Sequence, residues 1–316
     1  MKKPDLESAF NSMFHGKYKF SEFINLNTID EYTIIQHNNR IVYSTTKKLK
    51  DFHKFLNLFV FEYLRINEEV VFSYRKGHNV VDAVKIHAKG KYFYQSDIID
   101  FFSCINEQHI DHSLKISLSS IPVSDIEKYA MQVKNLILID GKLPIGFSTS
   151  PPISNSVLFD FDKIIKQHCT LNDIKYSRYS DDIIFSANSL NLLDDIEKIT
   201  EETLLKTSGN AFHINTKKSK IKSIGEQVKI LGMVIMPNGE LTVDSKIKNK
   251  TEILLHHYRT DKEKFKKISE NELEKSILNL GSLLNYINAV DKPYLYKLKK
   301  KYGATTIDFF IHKTRG

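Results

Sequence analysis

Two adjacent carboxylates, Asp181 and Asp182, stand between β-rich runs at 175–179 and 183–187, and this arrangement limits the fold more than any other stretch of the chain. Aromatic and β-branched residues on both sides of a short polar turn signal a hairpin, so the two acids occupy its tip. Neighbouring carboxylates repel, and a divalent cation is the usual way to keep both ionised in one site. An exposed acidic turn is the competing reading, because Asp favours turns on its own account.

A second acidic stretch shifts the balance. Tyr92-Phe93-Tyr94-Gln95-Ser96-Asp97 reads as a buried strand, expected over 91–98, that runs into an aspartate, with Phe102 five residues beyond it. A strand-end carboxylate beside the hairpin pair could chelate two magnesium ions, which prefer oxygen ligands and substrate phosphates to an all-protein cage. Two such ions can activate an attacking 3′-hydroxyl and stabilise a departing pyrophosphate. In that scheme Asp97 and Asp181 bridge the metals, the Ile98 carbonyl assists, and Asp182 supports one ion. Asp100 reads as structural or solvent-facing. Between the clusters, in Leu143-Pro144-Ile145-Gly146-Phe147-Ser148-Thr149-Ser150-Pro151, Gly146 would let the backbone approach a nucleotide or template base. Ser148, Thr149 and Ser150 would donate hydrogen bonds and cap the helix that follows; an ordinary loop-to-helix junction is the alternative.

The charge of the chain points to a polyanionic partner. Its 316 residues carry a formal net charge of +8, and neutralised phosphates release condensed counterions. From residue 241 onward about sixteen Lys/Arg face about nine Asp/Glu, nearly the whole excess, although a solvated helical surface would look similar. Two cysteines, Cys104 and Cys169, form neither a zinc pattern nor a disulfide framework and suit a reducing cytoplasm. With no signal-like start and no long apolar run, the expectation is a cytoplasmic protein without a membrane partner.

The element order is mixed. Helices are expected over 5–27, 47–66, 125–139, 152–168, 190–207, 272–290 and 292–302. Strands are expected at 32–36 and 40–44, joined by His37-Asn38-Asn39, and at 228–236. The basic tail reads as two or three helices.

Taken in order, these segments resemble the polymerase palm of reverse transcriptases. Asp97 to Phe102 is similar to the first aspartate motif, Gly146 to Asn155 to the Ser-Pro motif, and Tyr179-Ser180-Asp181-Asp182 to the Tyr-x-Asp-Asp box. Asn215-Thr216-Lys217-Lys218 resembles the lysine motif, Ile230-Leu231-Gly232-Met233 the hairpin that grips the primer, and Arg40-Ile41 with Lys48-Leu49-Lys50 a fingers segment. The resemblance implies an α+β right-hand polymerase fold: fingers with an N-terminal helix at 1–90, a palm at 91–240 with a fingers insertion near 106–142, and a basic helical thumb at 241–316. It also implies roles. Asp97, Asp181 and Asp182 would be catalytic and, with Ile98, would hold two Mg2+ ions. Phe102 would be the steric gate against a ribose 2′-hydroxyl, while Arg75, Lys76, Ile98, Gly146, Ser150 and Lys218 would meet the incoming dNTP. Leu231 and Gly232 would form the primer grip, and His87, Lys246, Lys248, Lys250, Lys299 and Lys300 would bind RNA. Tyr258, Tyr286, Tyr294 and Tyr296 could stack on bases or pack in the core.

Length, the Leu143-Pro144-Ile145-Gly146-Phe147 run, and the ending around Tyr286 to Gly303 resemble the retron enzymes. Such proteins copy their own structured non-coding RNA into branched RNA–DNA (msDNA) and act in anti-phage defence beside an effector protein encoded nearby. Three stretches depart from the retron pattern. Of Asn-Ala-x-x-His only His87 is kept, of Val-Thr-Gly only Gly232, and Ile145 stands where Gln is usual. A non-retron defence reverse transcriptase and a catalytically silent RNA-binding scaffold are the alternatives.

Overall fold

The computed structural model describes residues 3–37, 40–225, 227–269 and 272–313. The turn expected at Asn38 and Asn39, and the ends of the outer expected domains at Met1, Lys2 and 314–316, lie outside them. The chain divides into two compact units, Met1–Asn79 with Tyr94–Ile221 and Val80–Phe93 with Lys222–Gly316.

The first unit begins with an aromatic core. In the helix Lys47–Phe59 the spacing of Leu49, Phe52, Phe55 and Leu56 puts all four on one buried face, and the Thr46 hydroxyl caps its first turn by accepting from the Leu49 N–H at 3.3 Å. Phe10 and Phe23 meet that face, the Phe10 ring lying 5.2 Å from Phe23 and 5.2 Å from Phe55. Each such ring contributes roughly 1.5–3 kcal/mol by leaving water. The helix expected over 5–27 is two, Leu6–Phe14 and Phe20–Ile24, because His15 and Gly16 turn left-handed at φ 48 and 81.

Strands β1 (Tyr32–His37) and β2 (Arg40–Thr45) pair antiparallel from Tyr32↔Thr45 to His37↔Arg40. This ribbon is rooted on the loop before the helix Ser150–Val157: the Tyr43 N–H donates to the Ile145 carbonyl at 2.8 Å, and any Cβ at Gly146 would overlap the Tyr43 carbonyl oxygen. A four-stranded sheet follows, built of β3 (Tyr92–Asp97), β4 (Lys175–Tyr179), β5 (Asp182–Ala187) and β6 (Lys220–Ser223) in the order β4-β5-β3-β6. The helix expected over 152–168 is also two, Ser150–Val157 and Phe159–Leu171, with Leu158 at φ −96, ψ 17 between them.

In the second unit β7 (Val228–Ile230), β8 (Met233–Ile235) and β9 (Leu241–Val243) form an antiparallel meander. The single strand expected over 228–236 is thus a hairpin, turned by Leu231 and Gly232 at φ 48 and 82. The basic tail forms five helices among the described residues rather than two or three: Ser245–Thr260, Lys262–Ser269, Leu273–Val290, Lys292–Tyr302 and Ala304–Lys313. Leu254, Leu280, Leu284, Ile287, Ile307 and Phe310 bury their side chains completely. Asp291 separates two of these helices, its carboxylate accepting the Tyr294 N–H at 2.9 Å. Among the described residues no helix is long and apolar enough to cross a membrane.

Candidate active site

The acidic hairpin forms where it is expected, but its turn has two residues, Ser180-Asp181, instead of three: Asp182 pairs with Tyr179 and begins the second strand. Ser180 takes φ 60, a primed-turn geometry that suits the right-handed twist of the strands. Away from glycine this costs about 1–2 kcal/mol, so the surroundings must hold it.

Backbone hydrogen bonds bring the other acidic segment to this turn. The Ile98 N–H donates to the Asp181 carbonyl at 3.0 Å, the Asn215 N–H to the Asp97 carbonyl at 2.8 Å, and the Ile99 N–H to the His213 carbonyl at 2.9 Å. Three segments far apart in the chain are thereby joined beside one cleft. The Lys218 ammonium donates to Asp97 Oδ2 at 3.0 Å. Burial, and then the charges of Asp181 and Asp97, push the Asp182 carboxyl up to about 6, with Lys218 opposing them. The three carboxylates are therefore one electrostatic cluster, balanced in part by a single lysine.

A cleft of about 550 Å³ opens here, lined by Asp97, Ile98, Phe102, Asp181, Lys218 and Arg40 among others. Among the described residues no group of three or more His, Cys, Asp or Glu side chains could hold a metal ion by itself. The donor set nevertheless fits a hard divalent cation in an open site, since it offers only oxygens, carries excess negative charge, and leaves positions for water and phosphate.

Phe102 lines this cleft, its ring 5.7 Å from that of the buried Phe101. Arg75 and Lys76 do not. The Arg75 guanidinium donates to the Glu68 and Val71 carbonyls at 2.7 Å each and to Glu68 Oε2 at 3.1 Å, so it braces its own loop. Lys76 pairs with Glu62 at 2.8 Å. Two expected nucleotide contacts are turned inward: the buried Ser150 hydroxyl donates to the Pro144 carbonyl at 2.6 Å, and the open side of Gly146 faces Tyr43. No side chain at Thr149 caps the helix behind them. Arg40 and Lys142, not among the residues expected at the site, also line the cleft. The signal for Arg40 is its place in the fingers-like Arg40-Ile41 segment, at the start of the strand Arg40–Thr45.

In the second unit His87 is fully buried, and desolvation holds its imidazole down to about 3. It therefore presents no surface to RNA, contrary to expectation. Lys246 and Lys250 are exposed on the helix Ser245–Thr260. Lys248 pairs with Asp291 at 2.8 Å and lies 4.4 Å from the Tyr294 ring centroid, while Lys299 pairs with Asp308 at 2.7 Å. Lys300 is exposed and sits 4.8 Å from the Tyr296 ring centroid. Tyr258 packs edge-on against Phe265 and Phe310, and the Tyr294 hydroxyl donates to Glu252 at 2.7 Å, whereas Tyr296 is 60% exposed. Leu231 and Gly232 form the β7–β8 turn, with the Tyr286 hydroxyl 3.3 Å from where a Gly232 Cβ would stand.

Residues 32–235, which include all three carboxylates, match the family described as reverse transcriptase (RNA-dependent DNA polymerase). The Retron Ec73 reverse transcriptase of Escherichia coli is 30% identical over 275 residues, covering 83% of this chain and 83% of that protein. The chain belongs to the retron reverse transcriptases. The Retron Ec83 enzyme of Escherichia coli is 26% identical over 278 residues, 85% of this chain and 84% of its own, and the Retron Ec86 enzyme 24% over 247 residues, 75% and 69%. A telomerase from Candida albicans, solved with a fragment of telomeric RNA, superposes with a TM-score of 0.51 at 11% identity, covering 90% of this chain and 60% of that one. That likeness is one of fold, the right-hand polymerase. The retron enzyme is thus an RNA-directed DNA polymerase, and its departures at Ala83, Ile145 and Leu231 do not remove it from the retron type.

Proposed function

We propose that Asp97, Asp181 and Asp182, with the Ile98 carbonyl, hold two magnesium ions, and that the enzyme copies a cognate structured non-coding RNA into branched RNA–DNA for anti-phage defence. The observation that carries the metal assignment is the convergence of Asp97 on the Ser180-Asp181 turn at the cleft, through the Ile98 N–H to Asp181 carbonyl bond, with Asp182 next to it at the start of β5. Bound there, the ions would lower the barrier by activating the primer hydroxyl and neutralising charge on the triphosphate. The chain's own groups complete the site. Lys218 is released from Asp97 to meet phosphate charge, Arg40 and Lys142 add positive charge along the cleft, and Phe102 occupies the volume a ribose 2′-hydroxyl would need. Residues 1–90 serve as fingers, 91–240 as palm with the insertion near 106–142, and 241–316 as a thumb whose Lys246, Lys250 and Lys300 meet duplex phosphates without reading sequence.

Primer extension by the purified protein with magnesium and deoxynucleotides tests the metal assignment. Asp181→Asn and Asp182→Asn should each lose at least about a thousandfold in rate, the loss of several kcal/mol of charge stabilisation. Undiminished extension by either variant refutes it. Sequencing the nucleic acid that copurifies from cells tests the remainder. A covalent RNA–DNA product is expected, and unrelated cellular RNA alone overturns the retron substrate. A neighbouring effector is expected to copurify with that complex.

A further inference from the structure

Beneath the acidic turn lies a buried polar network that the chemistry above does not use. Arg178, two residues before Ser180, is completely buried, as is Asp162 on the helix Phe159–Leu171. The Arg178 guanidinium binds this carboxylate from Nε to Oδ1 at 2.9 Å and from Nη2 to Oδ2 at 2.7 Å. Its remaining donors go to backbone on either side, Nη1 to the Ser180 carbonyl at 2.9 Å and Nη2 to the Asn155 carbonyl at 2.9 Å. From the opposite direction Ser73 closes the ring. Its hydroxyl donates to Asn155 Oδ1 at 3.0 Å and accepts the Ser180 N–H at 2.8 Å, while Asn155 Nδ2 donates to the Ser73 carbonyl at 2.7 Å. The left-handed Ser180 is therefore gripped by both its N–H and its C=O, each by a buried side chain.

We propose that Ser73, Asn155, Asp162 and Arg178 are positioning residues that fix the Ser180 turn and thereby aim the Asp181 and Asp182 carboxylates. This rests on the metal reading above. Removing an apolar contact would loosen the core generally, whereas removing the Ser73 hydroxyl frees one end of Ser180 and lets the turn relax toward ordinary backbone geometry. The same network reaches the preceding loop. The Arg178 N–H donates to the Val70 carbonyl at 2.8 Å, the Phe72 N–H to the Arg178 carbonyl at 3.1 Å, and the Tyr74 hydroxyl to Ser180 Oγ at 3.2 Å. The acidic turn and the 70–74 segment are thereby tied together by hydrogen bonds.

The test uses the full chain, Mn2+ alone as probe, read by loss of its free-ion magnetic resonance signal, and single-nucleotide addition on a primed template. Ser73→Ala should weaken Mn2+ binding about tenfold and lower kcat about tenfold or more, as removal of a group supporting metal ligands does. KM for the nucleotide should stay within about twofold, because its contacts are untouched. Tyr176→Phe is the comparison: it removes the 2.6 Å hydrogen bond to Asp162 Oδ1 without touching the turn. It should cost comparable thermal stability yet leave Mn2+ affinity within about twofold. Equal losses in the two variants, or none in Ser73→Ala, overturn the positioning role. Asp181→Asn separates the two ideas. If it leaves Mn2+ binding intact the metal assignment fails, and if it abolishes binding while Ser73→Ala does not, only the positioning role fails. Should Ser73→Ala not fold, Tyr74→Phe loosens the turn from its exposed side and should weaken Mn2+ binding about twofold, no change again overturning the role.

Discussion

In the first unit the Arg178 guanidinium and the Asp162 carboxylate meet at 2.7 Å with neither side chain exposed, whereas in the second Lys299 and Asp308 meet at the same distance with 30% and 42% of their side chains in water. The interior pair carries a heavy desolvation cost and is tolerated only because every donor has a partner. It fixes a turn. The surface pair contributes little and is easily exchanged. Rigid placement and ready exchange thus come from the same interaction at two depths.

The sharpest way to break this contrast is Asp162→Ala, which strands the Arg178 charge in the core. Urea unfolding should show a loss of about 3–5 kcal/mol, and Asp162→Leu with Arg178→Met should regain most of it. A loss below that of a surface pair would remove the distinction.

Next in size is an acid effect. His53 is buried, its Nε2 at 2.7 Å from the Leu136 carbonyl and its Nδ1 without a partner, and desolvation holds its pKa near 4 instead of 6.5. Below about pH 6.5 the unfolded chain takes up a proton that the folded one refuses. This stabilising contribution is complete above pH 6.5 and declines toward pH 4, by about 3 kcal/mol in all. The buried His87 of the second unit adds an effect of the same sign. His53→Gln should flatten the difference in stability between pH 7 and pH 4.5, and an unchanged slope would contradict its burial as a neutral ring.

On the exposed side, Lys246→Ala with Lys250→Ala should leave unfolding nearly unchanged but reduce the slope of log affinity for duplex against log salt by about two. Filter binding from 50 to 300 mM salt, on the order of the range where counterion release dominates, reads it. The smallest effect belongs to Lys299→Ala, within about 1 kcal/mol by urea unfolding; a larger value would move this pair into the interior class.

Periodicity was enough for the parts of the fold held by one apolar face. Phe52, Phe55 and Leu56 announced a helix over 47–66, which ends at Phe59, and the aromatic and β-branched runs on either side of Ser180 announced β4 and β5. The grouping of Asp97 with the turn is legible because the two acidic motifs, in this order, resemble those of a polymerase palm. What stayed hidden is tertiary. Nothing local marks Asp162 and Arg178 as partners, since each looks like an ordinary polar residue of a helix or strand. The types of Ser150 and Gly146 suit a nucleotide contact, but they equally suit a hydroxyl bonded to Pro144 and a backbone laid against Tyr43. Of the five helices at the end, the break at Asp291 matches the helices expected over 272–290 and 292–302, whereas the break at Asp261 carries no such signal, because a polar residue of that kind also occurs within helices.

The ribbon of β1 and β2 has a consequence for motion. Ile34, Ile35 and Ile41 are 63%, 48% and 49% exposed, so the paired strands near their free end have little core of their own, and a lone two-stranded hairpin is marginal in water. Its anchorage is at the root, where Tyr43 meets Ile145 and Gly146. Amide protons should therefore exchange faster on passing from Tyr43 toward Arg40, which gives the cation at the cleft's edge a springboard-like mount: stiff where it is clamped, compliant where it reaches out.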